Sequence, residues 1–441
     1  MLHGLRRRAS GHRHLLTGSV ALVLTAGVQA VSGALFWLVA ARRYPQTDVG
    51  HATALFTSVL FVSFVAGLGQ PVAVARYAAG RARADHVLYT WAAVATTAAS
   101  AVAAAVYLVV VSPPAVDELL DWHGLLGPVV FLALSIGTAL SLLLDVRLMT
   151  QRRWGLVLAR ATVVGVARFP LLALSLDHDP AVGLLVMAAL PMALSGFAGT
   201  ALLPKVTGDR HRLRPLPPTA RSMAHYSAVN WASTLTYQAP TFAMPVIVLV
   251  HVSADRNASF YVAWGVAALA CYVPTAIGQA LLAEGGRDGA HLRSQVRLAI
   301  VVAGGLMVVG AAVATVGRDL IVSLYGSQYQ DAADLLPRLV AAAVPWAVTS
   351  VYLTEARVRH RSGATVLITA VLSAAILGPA LVLVPRDGID GAASAFLAGN
   401  VVAAVVAVGV HLEGRRHDLE RAAPSLPASA TTDAVTMSSR T

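Results

Sequence analysis

Long apolar stretches and short polar joints alternate along almost the whole chain. The stretches fall near 15–41, 50–70, 87–111, 124–144, 154–176, 181–203, 226–250, 258–282, 298–317, 335–356, 364–384 and 391–412. Each reaches the roughly 20 residues that a helix needs to cross the hydrocarbon core. The pattern predicts an all-α polytopic membrane protein of about twelve transmembrane helices. No joint is long enough to hold a soluble catalytic domain.

Composition agrees with this reading. Hydrophobic residues make up 57% and charged residues 12%, against roughly 25% charged in a soluble domain. The net charge of +11 would suggest nucleic acid in a soluble protein, but its distribution gives another cause. Counting from a cytoplasmic N-terminus, the cytoplasmic segments hold 25 of the 33 Lys and Arg residues, the external loops 5 and the apolar stretches 3. This is the positive-inside pattern. It predicts a multi-pass protein of the cell inner membrane with both termini cytoplasmic. Its basic groups would touch anionic headgroups, and no nucleic-acid partner is implied. The basic start (Arg6, Arg7, Arg8, Arg13) before an apolar run imitates a secretory signal. The run is too long for one, so it reads as an uncleaved first helix. The one cysteine, Cys271, lies in an apolar stretch, where packing is the simplest role.

The organisation expected is a basic N-terminus (1–14), a six-helix bundle (15–203), a cytoplasmic linker (204–225), a second six-helix bundle (226–412) and a polar, disordered cytoplasmic tail (413–441). The linker contains Pro-Leu-Pro-Pro and five basic residues, the composition of a connector. Six is even, so both bundles enter the membrane in the same direction. Any internal repeat must then be parallel, about an axis along the membrane normal. Gln29-Ala30 in the first stretch aligns with Gln238-Ala239 in the seventh.

The chain carries few marks of enzyme chemistry. There is no phosphate-loop pattern G-x-x-x-x-G-K-[ST], no H-E-x-x-H and no Cys/His cluster at ligand spacing, so no catalytic residue, metal or cofactor is assigned. Asp117, Glu118 and Asp121 lie together in one external loop. They lack a D-x-D spacing, and external acids are tolerated without a function.

The informative residues are ionisable groups at membrane depth. An arginine near a helix centre costs about 2.5–3.5 kcal/mol even on mild insertion scales. Arg160 and Arg168 lie in the fifth stretch, roughly 9 Å and 21 Å from its cytoplasmic end at 1.5 Å per residue. Their eight-residue separation puts them about 80° apart around the helix, so both can face one cavity. Arg160 can also snorkel to headgroups. A guanidinium fork suits phosphate, so the pair points to an anionic substrate. Gln29, Gln238 and Asn230 are further cavity candidates. Asn400 reads as a helix-bridging amide, and Arg338 as an interfacial cation. Glu284 and Glu355 end helices on the cytoplasmic side, where Arg287 and Arg357 are possible partners.

Several segments carry a resemblance. They are Ala40-Ala41-Arg42-Arg43-Tyr44, Gly67-Leu68-Gly69-Gln70, Ala258-Ser259-Phe260-Tyr261-Val262-Ala263-Trp264, Leu324-Tyr325-Gly326-Ser327-Gln328-Tyr329 and Val384-Pro385-Arg386-Asp387-Gly388-Ile389-Asp390-Gly391. In this order, across roughly 15–412, the chain resembles the polysaccharide biosynthesis proteins. These are oligosaccharide-lipid flippases of the multidrug/oligosaccharidyl-lipid/polysaccharide (MOP) exporter superfamily. The resemblance implies two six-helix bundles around a central cavity. Cation-coupled drug exporters of that superfamily often carry a carboxylate in the N-terminal bundle. The first stretch here has none, which favours the polysaccharide branch.

The expectation is a flippase for a polyprenyl-pyrophosphate-linked oligosaccharide or related glycan, working by alternating access in cell-surface polysaccharide biosynthesis. It makes and breaks no bond. Its partners would be the lipid-linked saccharide, membrane lipids and glycan-assembly enzymes. A drug/cation antiporter of the same superfamily and a membrane-embedded glycosyltransferase or polymerase remain as alternatives.

Overall fold

In a bilayer core, backbone polar groups must be satisfied within the protein, and helices do this segment by segment. The computed structural model follows that rule. It describes residues 2–67, 85–110, 114–173, 179–207, 220–285, 292–359 and 361–422; at several helix ends, among them 2–20 and 220–230, it describes the backbone alone. The long helices in chain order are α1 (Leu2–Arg43), α2 (Gln46–Ala66), α3 (Asp85–Val110), α4 (Leu126–Thr150), α5 (Trp154–Leu172), α6 (Pro180–Thr207), α7 (Ala220–His251), α8 (Ala254–Gly285), α9 (Leu292–Val316) and α10 (Asp331–Val358, in two pieces). A last helical run, Ser362–Ala422, breaks at Gly388 into α11 (362–387) and α12 (389–422). Short helices Pro114–Asp121 and Arg318–Ser323 sit in the joints. Among the described residues there is no strand.

The break at Gly388 has a local cause. Its φ of 62° and ψ of −134° lie where only glycine is at ease, in the polar joint Pro385-Arg386-Asp387-Gly388. Helix ends pass the apolar limits read from sequence. α1 starts at Leu2 and α12 runs to Ala422, so part of each segment expected to flank the bundles is helical. α6 and α7 likewise run into the expected linker, whose centre (208–219) lies outside the described residues.

The packing repeats between the halves. α1 packs on α5 as α7 packs on the last helical run, where Ser373 donates to the Thr236 carbonyl. α2 packs on α6 as α8 meets α12, with Trp264 and Phe396 4.8 Å apart. α3 lies on α4 as α9 lies on α10. This is the arrangement of two pseudo-symmetric six-helix halves. α2 is the most buried of the apolar spans and α9 the least. The hydroxyls buried in α2 bond inward to their own helix, Thr57 to Thr53 O at 2.8 Å and Ser58 to Ala54 O at 2.9 Å. α9 turns Leu298, Val301, Val309 and Val313 outward, as a lipid-facing helix should.

The halves are joined most extensively on the side where α1 turns into α2, termed distal. Toward the opposite side, where α1 begins, termed terminal, Trp231 of α7 donates to Val65 O of α2 at 2.9 Å and Phe64 meets Phe242 at 4.9 Å. On the distal side, Arg42 donates to the carbonyls of Leu324 (2.6 Å) and Ser323 (3.1 Å), and Gln328 donates to Ala41 O at 3.2 Å. Gln46 donates to Asp255 O at 2.9 Å and Ser259 Oγ at 3.0 Å, and Asn257 donates to Gly50 O at 3.1 Å. Gly50 lies against the Ala254 backbone so closely that any side chain would collide with it. These bonds seal the distal side.

Candidate functional site

Beneath the distal seal lies a cavity of about 460 Å³ between the halves. Its walls come from α1 (Gln29, Gly33, Trp37), α2 (Phe56, Thr57), the hairpin α4–α5 (Ser141, Asp145, Arg160, Arg168), α7 (Thr241, Phe242, Pro245) and α8 (Tyr261, Trp264, Tyr272), with Tyr325 at its distal end. The lining is mostly apolar and aromatic. Its charged members are Asp145, Arg160 and Arg168.

Asp145 and Arg160 stand at near-equal distances on either side of the α4–α5 turn, so the antiparallel hairpin brings them together. Arg160 Nε donates to Asp145 Oδ1 at 3.0 Å, and a second nitrogen meets Oδ2. The remaining donors reach Ser141 Oγ and, at 3.0 Å, Ser195 Oγ. Only 13% of the Arg160 side chain and 14% of that of Asp145 are exposed. The sequence offers Arg160 either headgroups or an anionic substrate; the structure gives it a carboxylate instead. Its charge is therefore already neutralised.

Arg168 has no such partner. It makes no ion pair or hydrogen bond to any described residue, and its Nε is buried with nothing to donate to. Its guanidinium lies 5.9 Å over the Phe56 ring. It passes Gly33 of α1, where an added Cβ would stand 3.9 Å from one terminal nitrogen. Among the described residues the cavity wall thus carries one uncompensated positive charge, deep in the membrane span.

The other expected site residues divide. Gln29 is exposed and lines the cavity. Gln238, its partner in the two-residue repeat, is not among the lining residues; α7 presents Thr241, Phe242 and Pro245 there instead. The Asn230 and Glu284 side chains lie outside the described residues. Asn400 is buried, but it donates to Phe396 O of its own helix at 2.8 Å and bridges to no neighbour in that bond. Arg338 pairs with Asp390 at 2.7 Å near the distal surface. Glu355 accepts from Arg359 Nε at 2.9 Å and not from Arg357. The residues that sequence reasoning passed over are the aromatics. Tyr261 and Trp264 stood in the quoted segments, but no charge marked them as lining.

No family model matches the sequence and no curated protein matches it. Solved structures do match in fold. An inward-facing multidrug-resistance MATE family transporter of the MOP superfamily is 15% identical with a TM-score of 0.69, over 91% of this chain and 99% of that one. An outward-facing structure of a MATE family transporter gives 15% and 0.62, over 92% and 96%. A MOP superfamily transporter from Pyrococcus furiosus, described as having a binding pocket of reverse polarity that suggests a different function, gives 15% and 0.63, over 92% and 95%. The chain therefore has the fold of the MATE transporters.

Proposed function

We propose that this protein moves an anionic, lipid-linked saccharide across the inner membrane by alternating access between its two halves. The observation that carries this reading is Arg168, an unpaired guanidinium in an aromatic cavity between the halves. A bare cation costs several kcal/mol at such depth unless it meets water, an acid or a phosphate. The one carboxylate lining the cavity is taken by Arg160, and a phosphate or pyrophosphate would complete the Arg168 fork. Tyr272, 51% exposed, offers a flat apolar face with a polar edge suited to the carbon face of a sugar ring, and Trp37, Tyr261 and Trp264 line the same cavity packed among other rings. The lipid tail would stay in the bilayer. The terminal side is then cytoplasmic, in keeping with the charge split, and the distal side external.

The competing reading is a drug/cation antiporter, favoured by the multidrug transporters among the fold neighbours. A cavity with a net positive wall repels organic cations, which argues against it.

The test is translocation in proteoliposomes of a fluorescent polyprenyl-pyrophosphate disaccharide, read by quencher access. Wild type should flip it. Arg168→Ala should flip at about a tenth of that rate or less, and Arg168→Lys should recover only part, since an ammonium keeps the charge but loses the fork. Normal flipping by the alanine variant, or uptake of a cationic dye in place of the lipid, would sink the proposal.

A further inference from the structure

A second arginine in this frame lacks an acid. Arg357 lies next to the terminal-side end of α10 at Val358. Glu355 is two residues away in sequence, but on a helix that spacing points the side chains about 200° apart. Glu355 is instead held by Arg359 and by a 2.6 Å hydrogen bond shared with His411 Nδ1 of α12. Arg357 makes no ion pair or hydrogen bond to any described residue. A cation that merely complements the helix dipole or reaches for headgroups would extend outward from its own helix. Arg357 crosses to α7, where its guanidinium lies 5.4 Å over the Tyr237 ring. It is exposed.

Tyr237 fixes where this places the charge. It precedes Thr241 by one turn, and Thr241, Phe242 and Pro245 form the α7 wall of the cavity. Trp346 steadies the same ring at 5.8 Å. The Tyr237 ring thus stands about 5 Å, one helical turn, below the α7 wall on the terminal side. With its guanidinium carbon 5.4 Å over the ring and no hydrogen bond made to a described residue, Arg357 keeps its N–H donors for a bidentate acceptor.

We propose that Arg357 is a second phosphate-binding residue, which takes the anionic headgroup at the terminal mouth of the cavity before Arg168 receives it. The proposal rests on the reading of the cavity as an anion path. The same chemistry could come from the substrate or from bulk anionic phospholipid, and the experiment separates them.

The full chain is placed in nanodiscs of phosphatidylcholine alone, or with phosphatidylglycerol added. Binding of farnesyl pyrophosphate is measured by calorimetry for wild type, Arg168→Ala, Arg357→Ala and Arg357→Lys. In phosphatidylcholine, Arg357→Ala should weaken binding about tenfold and Arg357→Lys by less, the loss expected for a charge-assisted, forked contact. The lysine variant keeps the stem and the charge, so it separates a lost fork from a misfolded protein. If Arg357→Ala binds as tightly as wild type while Arg168→Ala is weakened, this proposal is overturned and the transport reading stands. If neither alanine variant is weakened, both fall. An effect of Arg357→Ala confined to phosphatidylglycerol nanodiscs would make Arg357 a headgroup anchor and overturn the proposal.

Discussion

The cationic residues near the cavity differ in what their neighbours leave them to do. Arg160 is spent on Asp145, Ser141 and Ser195, whereas Arg168 and Arg357 face aromatic rings with their forks unsatisfied. Removing one partner of a buried pair strands the other charge and costs about 3–5 kcal/mol. Asp145→Asn should therefore lower stability in detergent by about 3 kcal/mol, the low end, because the cavity admits water. Adding Arg160→Gln should restore most of it. A thermal melt of both variants checks this, and equal losses in the single and the double variant would show that the pair is not what holds the hairpin. At this scale the sequence was partly legible. Depth and helical angle suffice to single out Arg168, because an arginine two-thirds of the way across has few excuses. Asp145 was readable too, from its mirror spacing to Arg160 about the α4–α5 turn, but only once the two helices are known to pack as a hairpin. Gln238 misled because two matched residues fix no rotation: the wall of α7 is set by which face the halves present to each other.

At the scale of elements, hydropathy locates what lies in lipid and stops there. Helical hydrogen bonding continues into polar residues, so α7 begins at Ala220 and α12 ends at Ala422, well outside the apolar limits. The joint between the last two spans was visible as Pro385-Arg386-Asp387-Gly388, since these residues interrupt an apolar run. What was not visible is that helix persists to the edge of a single residue, Gly388, whose φ of 62° lets α12 fold back. An L side chain at that φ and ψ costs about 1–3 kcal/mol. Gly388→Ala should therefore melt at lower temperature than wild type, whereas Gly409→Ala, inside α12 with open space around it, should melt unchanged or higher. A melting point for Gly388→Ala equal to that of wild type would mean that the turn can form without the left-handed residue.

For the whole molecule, parity alone required that a twelve-span chain split in six repeat in parallel, and the paired packing of α1 on α5 and α7 on the last helical run has that form. Which residues tie the halves together could not be read from sequence. It depends on backbone carbonyls that receive side chains from the other half, and no pattern of residue types announces those. The distal seal makes a firm prediction about motion. Gln46 of α2 and Ser259 of α8 meet at 3.0 Å across the halves, beside the contact of Gly50 with the Ala254 backbone. If the halves rock, this seal must open once per cycle. The only native cysteine, Cys271, is far along α8 from Ser259, so a Cys271→Ala background is clean for cross-linking. In it, Gln46→Cys with Ser259→Cys should be bridged by a short bis-methanethiosulfonate, which spans the reach lost with the glutamine side chain. Substrate flipping should stop when the bridge forms and return when it is reduced, with either single variant indifferent to both treatments. A cross-linked protein that flips at the uncross-linked rate would show that the distal side never opens, and a rocking mechanism would then be untenable for this chain.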